Sequence, residues 1–348
     1  MNELNLVAPI NCLSYGYVTQ NIIKALIKKG ITVNLKPLGP IDPDVNAGYD
    51  VFYEQCGKTL KATCPTLIIW HHFDLHMFKE VPGSIKIGFP IFETDILTEN
   101  EVNSINTMDR IFTTCPWFER ILKFHKIKPP ISIVPLGVDP DIFSPSLPNK
   151  KKTVQFLHIG KWELRKGHPE IIKAFAMVQD KIPDATLTFV SHNPFFNKEN
   201  LYWRDYVAKH INREQWNIFN QRLSSCKEVS QLINGHDVYL APSKAEGWNL
   251  PLLEAMYSNK MCVATNFSGH TAFCNSKNCL LLDVNETEPM FDGQWFFGNG
   301  NWAKIDIEQL ATKIVEAYSK TKLISDNSIF ESVKHFTWAN TVEEIVNV

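Results

Sequence analysis

The sequence has 348 residues, which is enough for two domains of ordinary size. Hydrophobic residues make up 44% and charged residues 21%, a composition that is typical of globular proteins and excludes a largely disordered chain. The formal net charge of −2 excludes a strong overall attraction to nucleic acids or anionic membranes.

Two further features of the composition concern targeting and redox state. The chain contains no apolar run of membrane-spanning length, and the residues that follow Met1 do not resemble a signal peptide. We therefore expect a cytoplasmic protein. The eight cysteines are scattered without a Cys-x-x-Cys pair, so we expect reduced thiols rather than disulfides or a structural zinc site.

The first part of the chain has the pattern of an α/β domain. Apolar runs alternate with polar loops and with amphipathic segments, and Gly30 is placed to end the first helix. We predict a polar loop at residues 11–16 and helices at residues 18–29 and 116–124. Strands are predicted at residues 4–9, 31–35, 51–54, 66–70 and 109–114, at the start of residues 84–93, and from residue 131 onward.

Ligands of parallel α/β sheets bind at the carboxyl ends of the strands, which makes three residues of this part candidates for a site. Gly16 lies in the first predicted loop, where it either lets a ligand approach the backbone or is an ordinary turn glycine. His71 and His72 directly follow the strand at residues 66–70. They either face a substrate or are packed or surface histidines.

A second α/β series follows a segment at residues 144–152 that is rich in proline and lysine and indicates a linker. A strand at residues 153–160 leads into a loop that contains Lys161, Arg165 and Lys166. Lysine and arginine bind phosphate oxygens, so this loop is either a phosphate site or a solvated basic turn.

The rest of the second series is predicted with one ambiguous segment. Residues 193–222 mix aromatic with basic side chains, which either stack nucleobases or form a helical core, and we favour the core. A strand is predicted at residues 185–191 and another at residues 280–283. Amphipathic patterns indicate helices at residues 306–318 and 327–348.

Residues 237–256 form the most informative stretch. A buried strand is predicted to end at Pro242, and a small polar loop containing Gly247 follows. Asn249 is a suitable N-cap for the next helix, and Pro251 fits its first turn. A strand, a glycine-bearing loop and a helix N-terminus together favour phosphate binding.

Two carboxylates flank this predicted phosphate site. Glu246 lies in the loop and Glu254 in the following helix. Carboxylates accept paired hydrogen bonds from vicinal hydroxyl groups, such as those of a sugar or a ribose. The two acids either bind different parts of one ligand, or they are a solvated loop acid and a carboxylate near a helix N-terminus.

The string from Glu246 to Met256, Glu-Gly-Trp-Asn-Leu-Pro-Leu-Leu-Glu-Ala-Met, resembles the Glu-x7-Glu motif of retaining family 4 glycosyltransferases. The resemblance implies the GT-B fold, with two Rossmann-like α/β/α domains facing across a cleft and a C-terminal helix that crosses back to the first domain. Residues 1–147, together with a helix at about 330–348, would form the acceptor-binding domain, and residues 148–329 the donor-binding domain.

The same resemblance implies roles for single residues. Glu246 would face the donor sugar and Glu254 would bind the nucleotide ribose. Residues 160–167 resemble a Gly-Arg-x-x-x-x-Lys-Gly loop, with Lys161 at the arginine position and Lys166 at the lysine position. One of the two histidines, His71 or His72, would lie near the reacting sugar, and Gly16 would allow close backbone approach of a ligand. The loop and the helix N-terminus between the two acids would receive the diphosphate, and the further residues expected to bind the donor are Gly160, Arg165, Gly247, Trp248, Asn249 and Leu250.

The predicted activity is transfer of a sugar from a UDP- or GDP-type donor to an acceptor hydroxyl, with retention of configuration. No cofactor or metal is expected, because both Asp-x-Asp sequences, at Asp42 and Asp139, read as proline turns. No activated serine or cysteine is visible, which favours a front-face mechanism. The alternatives are a GT-B nucleotide-sugar 2-epimerase and a non-catalytic nucleotide-sugar-binding module.

The acceptor and the oligomeric state are left open by the sequence. A glycan, a lipid, a protein and a hydroxymethylated DNA base of the phage type are all candidate acceptors. Residues 123–128 are basic and either contact lipid headgroups at a membrane surface or form a solvated helix face.

Overall fold

The computed structural model describes residues 1–11, 13–41, 53–147, 153–195, 197–221, 223 and 225–347. The chain forms two compact units, of which the first contains Met1–Asp139 and His335–Val348 and the second contains Pro140–Lys334. Some predicted features lie outside the described residues, namely Cys12, the turn at Asp42, the start of the strand predicted at 51–54, and residues 148–152 of the linker. Tyr53 and Glu54, which end that predicted strand, have helical backbone instead.

The boundary between the units follows Asp139, whereas the predicted domain boundary followed residue 147. The intervening segment is bonded to the second unit. Ser146 donates its backbone N–H to the Ser258 carbonyl oxygen at 3.2 Å and its hydroxyl to Asn234 Oδ1 at 2.7 Å. These bonds explain why the segment belongs with the residues that follow it.

The strands of the first unit are β1 (Glu3–Ala8), β2 (Thr32–Pro37), β3 (Thr66–Ile68), β4 (Lys86–Gly88), β5 (Arg110–Thr113) and β6 (Ile131–Ile133). They form one parallel sheet in the order β2-β1-β3-β4-β5-β6. Leu4, Leu6 and Val7 of β1 have no exposed surface. This burial is expected for a parallel strand that is covered on both faces.

The helices of the first unit's N-terminal segment are α1 (Ser14–Lys28), α2 (Glu99–Ile105) and α3 (Pro116–Phe124), and His72–Phe78 form a 3-10 helix. The bounds of α3 agree with the prediction, because Pro116 is well suited to the first helical turn. Helix α1 starts earlier than predicted, so Gly16 lies inside it rather than in a loop. A Cβ at Gly16 would lie 2.0 Å from the Asn11 carbonyl oxygen, so this position needs glycine for close packing.

The strands of the second unit's parallel sheet are β7 (Val154–Ile159), β8 (Ala185–Val190), β9 (Trp216–Phe219), β10 (Val238–Ala241), β11 (Met261–Thr265) and β12 (Leu280–Leu282). Their order is β12-β11-β10-β7-β8-β9. Strands β7 and β10 are neighbours, and this brings together the loops that follow them at the carboxyl edge of the sheet. An antiparallel pair, β13 (Thr287–Phe291) and β14 (Phe297–Ala303), forms the 287–303 hairpin.

The helices of the second unit are α4 (His168–Val178), α5 (Asn197–His210), α6 (Cys226–Asn234), α7 (Leu250–Tyr257), α8 (Ile307–Thr321) and α9 (Ser328–Val333). The segment at 193–222 therefore contains a helix and also strand β9, which was not predicted. Residues 327–348, predicted as one helix, form α9 and a separate helix α10 (Trp338–Val346).

Helix α10 returns to the first unit, as the predicted fold requires. Val138 donates its N–H to the Phe336 carbonyl oxygen at 3.0 Å, and the Trp338 ring packs against Tyr17 of α1 with 6.2 Å between ring centroids. A Cβ at Gly137 would lie 2.1 Å from the Thr337 carbonyl carbon. The returning segment is therefore in tight backbone contact with the end of the first segment.

The cysteines of the described ranges are free thiols, and six of these seven are buried. Burial raises the pKa of Cys115, Cys262 and Cys274, which favours their neutral form. Across the described ranges, none of the helices has the length and apolar content that crossing a bilayer requires.

Candidate functional site

Two loops meet at the carboxyl edge of the second unit's sheet. We call residues 160–167, after β7, the basic turn, and residues 242–249, after β10, the signature loop. Lys244 donates its backbone N–H to the Arg165 carbonyl oxygen at 2.7 Å, and the Arg165 guanidinium donates to the Ala245 carbonyl oxygen at 2.8 Å. The two loops are therefore joined by hydrogen bonds in both directions.

A chain of alternating charges runs through this junction. Lys166 Nζ donates to both carboxylate oxygens of Glu246, at 2.7 and 3.0 Å, and Arg165 donates to Glu246 at 3.1 Å. Arg165 also donates to Glu163 at 3.1 Å, and Lys161 forms an ion pair with Glu163 at 2.6 Å. Three cations and two carboxylates leave one net positive charge in a cluster whose Glu246 is only 4% exposed.

Burial and neighbouring charges act in opposite directions on these acids. Burial alone would raise the pKa of Glu246, but the charges of Lys166 and Arg165 lower it from 4.5 to about 2. Burial likewise raises the pKa of Glu163, but the charges of Arg165 and Lys161 lower it by more, so the net effect is a decrease. Burial lowers the pKa of Lys166, and Glu246 opposes that shift. The Glu246 side chain is therefore a carboxylate at neutral pH, and this carboxylate can only accept hydrogen bonds.

Gly167 fixes the position of the basic turn beside the signature loop. Its φ of +77° lies in the left-handed region, which favours glycine. A Cβ at this position would also lie 2.3 Å from the Pro242 carbonyl oxygen. Both the positive φ and the close approach of Pro242 therefore require glycine at position 167, next to Lys166.

The turn after β11 supports the signature loop from the other side. Glu246 donates its backbone N–H to Ser268 Oγ and accepts from the Gly269 N–H, both at 2.9 Å. A Cβ at Gly269 would lie 2.6 Å from the carbonyl oxygens of Glu246 and Gly247. No role of this turn was predicted from the sequence, although an apolar run followed by Ser-Gly is a signal for it.

Helix α7 begins as predicted. The Asn249 side chain accepts from the Leu252 N–H at 3.4 Å, and Pro251 lies in the first turn after Leu250. Asn249 has a φ of +76°, a left-handed conformation that asparagine tolerates better than most residues. The chain therefore turns sharply from the signature loop into the helix.

Glu254 and Trp248 are both buried near this turn. The Trp248 ring packs against Phe273 with 5.1 Å between ring centroids. Burial raises the pKa of Tyr239 in β10, and the charges of Glu246 and Glu254 raise it further. The two predicted acids thus act on the same phenol from different elements, the loop and the helix.

Three buried histidines, which the sequence analysis missed, surround the cluster. His158 Nδ1 lies 2.7 Å from the Leu240 carbonyl oxygen, so this nitrogen carries the proton and donates. Its Nε2 has no hydrogen-bond partner among the described residues and would lie 3.3 Å from a Cβ at Gly160. His168 contacts Ser191, and His270 donates to the carbonyl oxygen of β11's last residue.

Because these histidines are buried, we expect the stability of the second unit to decrease at acidic pH. Burial lowers the pKa of His158 from 6.5 to about 4, and it lowers the pKa values of His168 and His270 as well. Below pH 6.5 the unfolded chain therefore binds protons that the folded chain does not. The contribution of these histidines to the free energy of unfolding has its full value above pH 6.5 and decreases as the pH falls toward 4. His158 alone should account for about 3 kcal/mol of that loss. Urea unfolding at pH 7, 5.5 and 4 measures it, and a His158→Asn variant with an equally steep decline would contradict this assignment.

The two histidines predicted in the first unit, His71 and His72, differ in their contacts. His72 Nε2 lies 2.9 Å from Glu101 Oε1, so His72 is engaged by an acid of helix α2. The His71 ring stacks on Phe73 with 5.0 Å between centroids and also contacts the Tyr15 ring. Burial lowers the pKa of His71. The structure therefore distinguishes two histidines that the sequence could not.

The remaining predicted features are placed as follows. Asp139, from the second Asp-x-Asp sequence, forms an ion pair with Lys24 of helix α1. In the part of the chain that the structure covers, no group of three or more His, Cys, Asp or Glu side chains is arranged to hold a metal ion. Lys161 forms an ion pair with Glu163. Arg165, which was expected only to help bind the donor, makes the second contact to Glu246.

The comparison with protein families covers the segment that contains both loops. Residues 139–289 match the family model described as Glycosyl transferases group 1. The *Escherichia coli* UDP-Gal:alpha-D-GlcNAc-diphosphoundecaprenol alpha-1,3-galactosyltransferase is 21% identical over 209 residues, which cover 56% of this chain and 52% of the relative. The chain spans about half the length of the curated relatives it matches.

Several solved structures resemble the whole chain. Sucrose-phosphate synthase from *Thermosynechococcus elongatus* superposes with a TM-score of 0.72 at 13% identity and covers 100% of this chain and 98% of its own. Anabaena HepE in complex with UDP has a TM-score of 0.70 at 14% identity, with 100% and 99% coverage. The chain therefore has the two-domain α/β fold of the GT-B glycosyltransferases, and its residues 139–289 are similar to the glycosyl transferases group 1 family.

Proposed function

We propose that this protein transfers a sugar from a nucleotide-sugar donor to an acceptor hydroxyl, with retention of configuration and without a metal ion. The observation that carries this proposal is the buried contact of Lys166 and Arg165 with Glu246 where two loops meet at the carboxyl edge of a parallel sheet. This edge is where ligands of open α/β sheets bind.

The charge of the cluster suits a departing diphosphate. Negative charge accumulates on the diphosphate as its bond to the sugar breaks, and preorganised cations in a water-poor site stabilise that charge strongly. Lys166 has three N–H donors, so it can bind phosphate while it remains near Glu246. Lys161, whose side chain is 36% exposed, pairs with Glu163 of the same loop and supplies a second cation. We assign leaving-group stabilisation to these two lysines.

The two acids have different roles in the proposal. Glu246 is ionised and buried at the junction, where it accepts a hydrogen bond from a donor-sugar hydroxyl and faces the positive charge that develops on the sugar ring. Glu254 lies in the second turn of helix α7 and accepts from the nucleotide ribose. Both roles need an acceptor and neither needs a proton, which agrees with the low pKa of Glu246.

The surroundings of Glu246 favour a front-face mechanism. Both of its oxygens already accept hydrogen bonds from cations, and this lowers the nucleophilicity that a covalent sugar intermediate would require. A carboxylate with a pKa of about 2 is also a weak general base. We therefore assign the acceptor proton to the departing phosphate, on the face of the sugar that the leaving group occupies.

We further propose a UDP-sugar as the donor. The *Escherichia coli* relative is a UDP-Gal transferase by name, and HepE is similar over its full length and was solved with UDP. The acceptor of that relative is a sugar on diphosphoundecaprenol. A lipid-linked sugar is therefore the first acceptor to test here, followed by glycan, peptide and hydroxymethylated DNA acceptors.

The test is turnover of a panel of UDP- and GDP-sugars with these acceptors. We expect release of UDP from one UDP-sugar, an unchanged rate in EDTA, and a product whose anomeric proton coupling in NMR matches that of the donor. Release of UDP with an inverted product, or loss of the rate in EDTA, would contradict retention or metal independence respectively. Conversion of the donor to a 2-epimer without acceptor would favour the epimerase alternative.

A further inference from the structure

Two large aromatic side chains from distant segments meet at the surface of the second unit. Phe195, in the loop after β8, is 49% exposed, and Trp295, at the tip of the 287–303 hairpin, is 50% exposed. Their ring centroids are 5.5 Å apart and the rings are nearly perpendicular, at 77°. An exposed aromatic pair offers flat apolar surface on which a ring-bearing ligand can stack.

The loop that carries Phe195 is held in place by a buried amide. Asn193 has no exposed surface, and its side-chain nitrogen donates to the Trp162 carbonyl oxygen at 3.0 Å. Its side-chain oxygen accepts from the Phe195 N–H at 3.1 Å. This Asx-type turn sets the direction of the Phe195 backbone before any ligand arrives.

The hairpin tip that carries Trp295 is equally well defined. Asp292 Oδ1 accepts from three consecutive backbone N–H groups, those of Gln294, Trp295 and Phe296, at 2.8 to 2.9 Å. The Phe296 ring packs on the buried Trp302 with 5.1 Å between centroids. Trp295 is therefore exposed on a rigid turn rather than on a loose one.

The base of the hairpin is attached to the signature loop. Ala303 donates its N–H to the Lys244 carbonyl oxygen at 3.0 Å. The Lys244 ammonium forms ion pairs with Glu288 of β13 and, at 3.0 Å, with Glu170 of helix α4. The hairpin thus runs from the signature loop at its base to the Phe195 loop at its tip.

The aromatic pair also adjoins the basic turn. Lys161 Nζ lies 5.4 Å from the centroid of the Phe195 ring, within the range of a cation–π contact. The same ammonium pairs with Glu163, which binds Arg165, which binds Glu246. A ligand that carries both a flat ring and a diphosphate would therefore meet an aromatic surface next to a cation of the basic turn.

We propose that the nucleobase of the donor stacks on Phe195 and Trp295 and that this stacking contributes to the affinity for the donor. This inference rests on the proposed function. A nucleobase presents a flat π-face that stacks on aromatic side chains whatever its hydrogen-bonding edge. The diphosphate attached to it would lie toward Lys161 and the basic turn. The 287–303 hairpin then acts as a positioning element that holds Trp295 over the donor site.

The test compares UDP with inorganic pyrophosphate in calorimetric titrations, because only UDP has a base. Trp295→Ala and Phe195→Ala should each raise the Kd for UDP by about 5- to 150-fold, with the Kd for pyrophosphate unchanged. Trp295→Phe should restore most of the affinity. Phe297→Ala is the matched control, because Phe297 is an aromatic residue of the same hairpin that is 67% exposed, and it should leave both constants unchanged.

The outcomes separate this inference from the proposed function. If Trp295→Ala and Phe195→Ala weaken UDP and pyrophosphate equally, or weaken neither, the stacking assignment is overturned while the diphosphate site stands. If the unaltered protein binds neither UDP nor pyrophosphate, the proposed function fails and the stacking assignment fails with it. In turnover assays the stacking role predicts a higher donor KM with little change in kcat.

Discussion

Lys166→Met is expected to lower kcat for donor cleavage by about 10²- to 10³-fold, the range found when one preorganised stabiliser of a developing negative charge is removed. Lys166 is the cation in closest contact with Glu246, and methionine preserves most of its length and burial while removing its charge. Release of UDP under saturating donor measures the effect. Wild-type kcat in this variant would contradict the proposed role of Lys166.

The single substitution also leaves Glu246 with one cation fewer in a buried site, which costs up to about 3–5 kcal/mol when an ion pair is fully broken. Arg165 remains bound to Glu246, so the loss in this protein should lie below that range. The double variant Lys166→Met, Glu246→Gln removes both charges and should recover stability in urea unfolding. If stability returns and activity does not, the lysine and the acid act in the reaction rather than in folding.

Gly167→Ala is expected to be among the most destabilising single-methyl changes in the chain, at about 3 kcal/mol or more. A left-handed backbone conformation costs a non-glycine residue about 1–2 kcal/mol, and the added methyl would also overlap the Pro242 carbonyl oxygen at 2.3 Å. Relief of that overlap requires the basic turn and the signature loop to separate. The variant should therefore lose donor cleavage as well as stability, and the midpoint of urea unfolding measures the latter.

Gly30→Ala provides the matched control. Gly30 also has a positive φ, of +81°, but a Cβ there would meet nothing within 4 Å among the described atoms. This variant should be destabilised only by the left-handed backbone conformation, by about 1–2 kcal/mol, and it should keep its activity. Equal destabilisation by the two substitutions would mean that contact with Pro242 does not hold the loops together.

The regular alternation of strands and helices could be predicted from the sequence, because local signals coincided with the tertiary arrangement. Helix α3 begins at Pro116 and ends at Phe124 as predicted, and Asn249 caps helix α7. At these sites a single side chain marks the residue where the helix begins. Local chemistry then leaves little for tertiary contacts to decide.

Other elements depended on partners that are far away in sequence. Strand β9 lies in an aromatic-rich segment, and aromatic residues suit strands and helical cores alike, so its assignment needed the neighbouring strand β8. The break between helices α9 and α10 is set by the backbone contact of Phe336 with Val138 in the other part of the chain. The 287–303 hairpin likewise depends on its attachment to Lys244.

The candidate site was partly predictable for the same reason. The two loops carried recognisable sequences, and the adjacency of β7 and β10 brings Lys166 to Glu246. The role of Arg165 as a bridge between two acids could not be read from spacing, since it requires the side chain to turn inward at a buried position. Likewise, the stacking of Phe195 and Trp295 joins residues separated by 100 positions.

The return of helix α10 to the first unit has a consequence for how the chain is made. The ribosome delivers residues in order, so all of Pro140–Lys334 emerges before Trp338 can cover helix α1. Until then the nascent first unit presents the apolar patch that Trp338 and its neighbours later shield, while the second unit can already collapse. Premature termination before residue 335 would accordingly yield a polypeptide whose second unit is complete and whose first unit exposes apolar surface and is prone to aggregate.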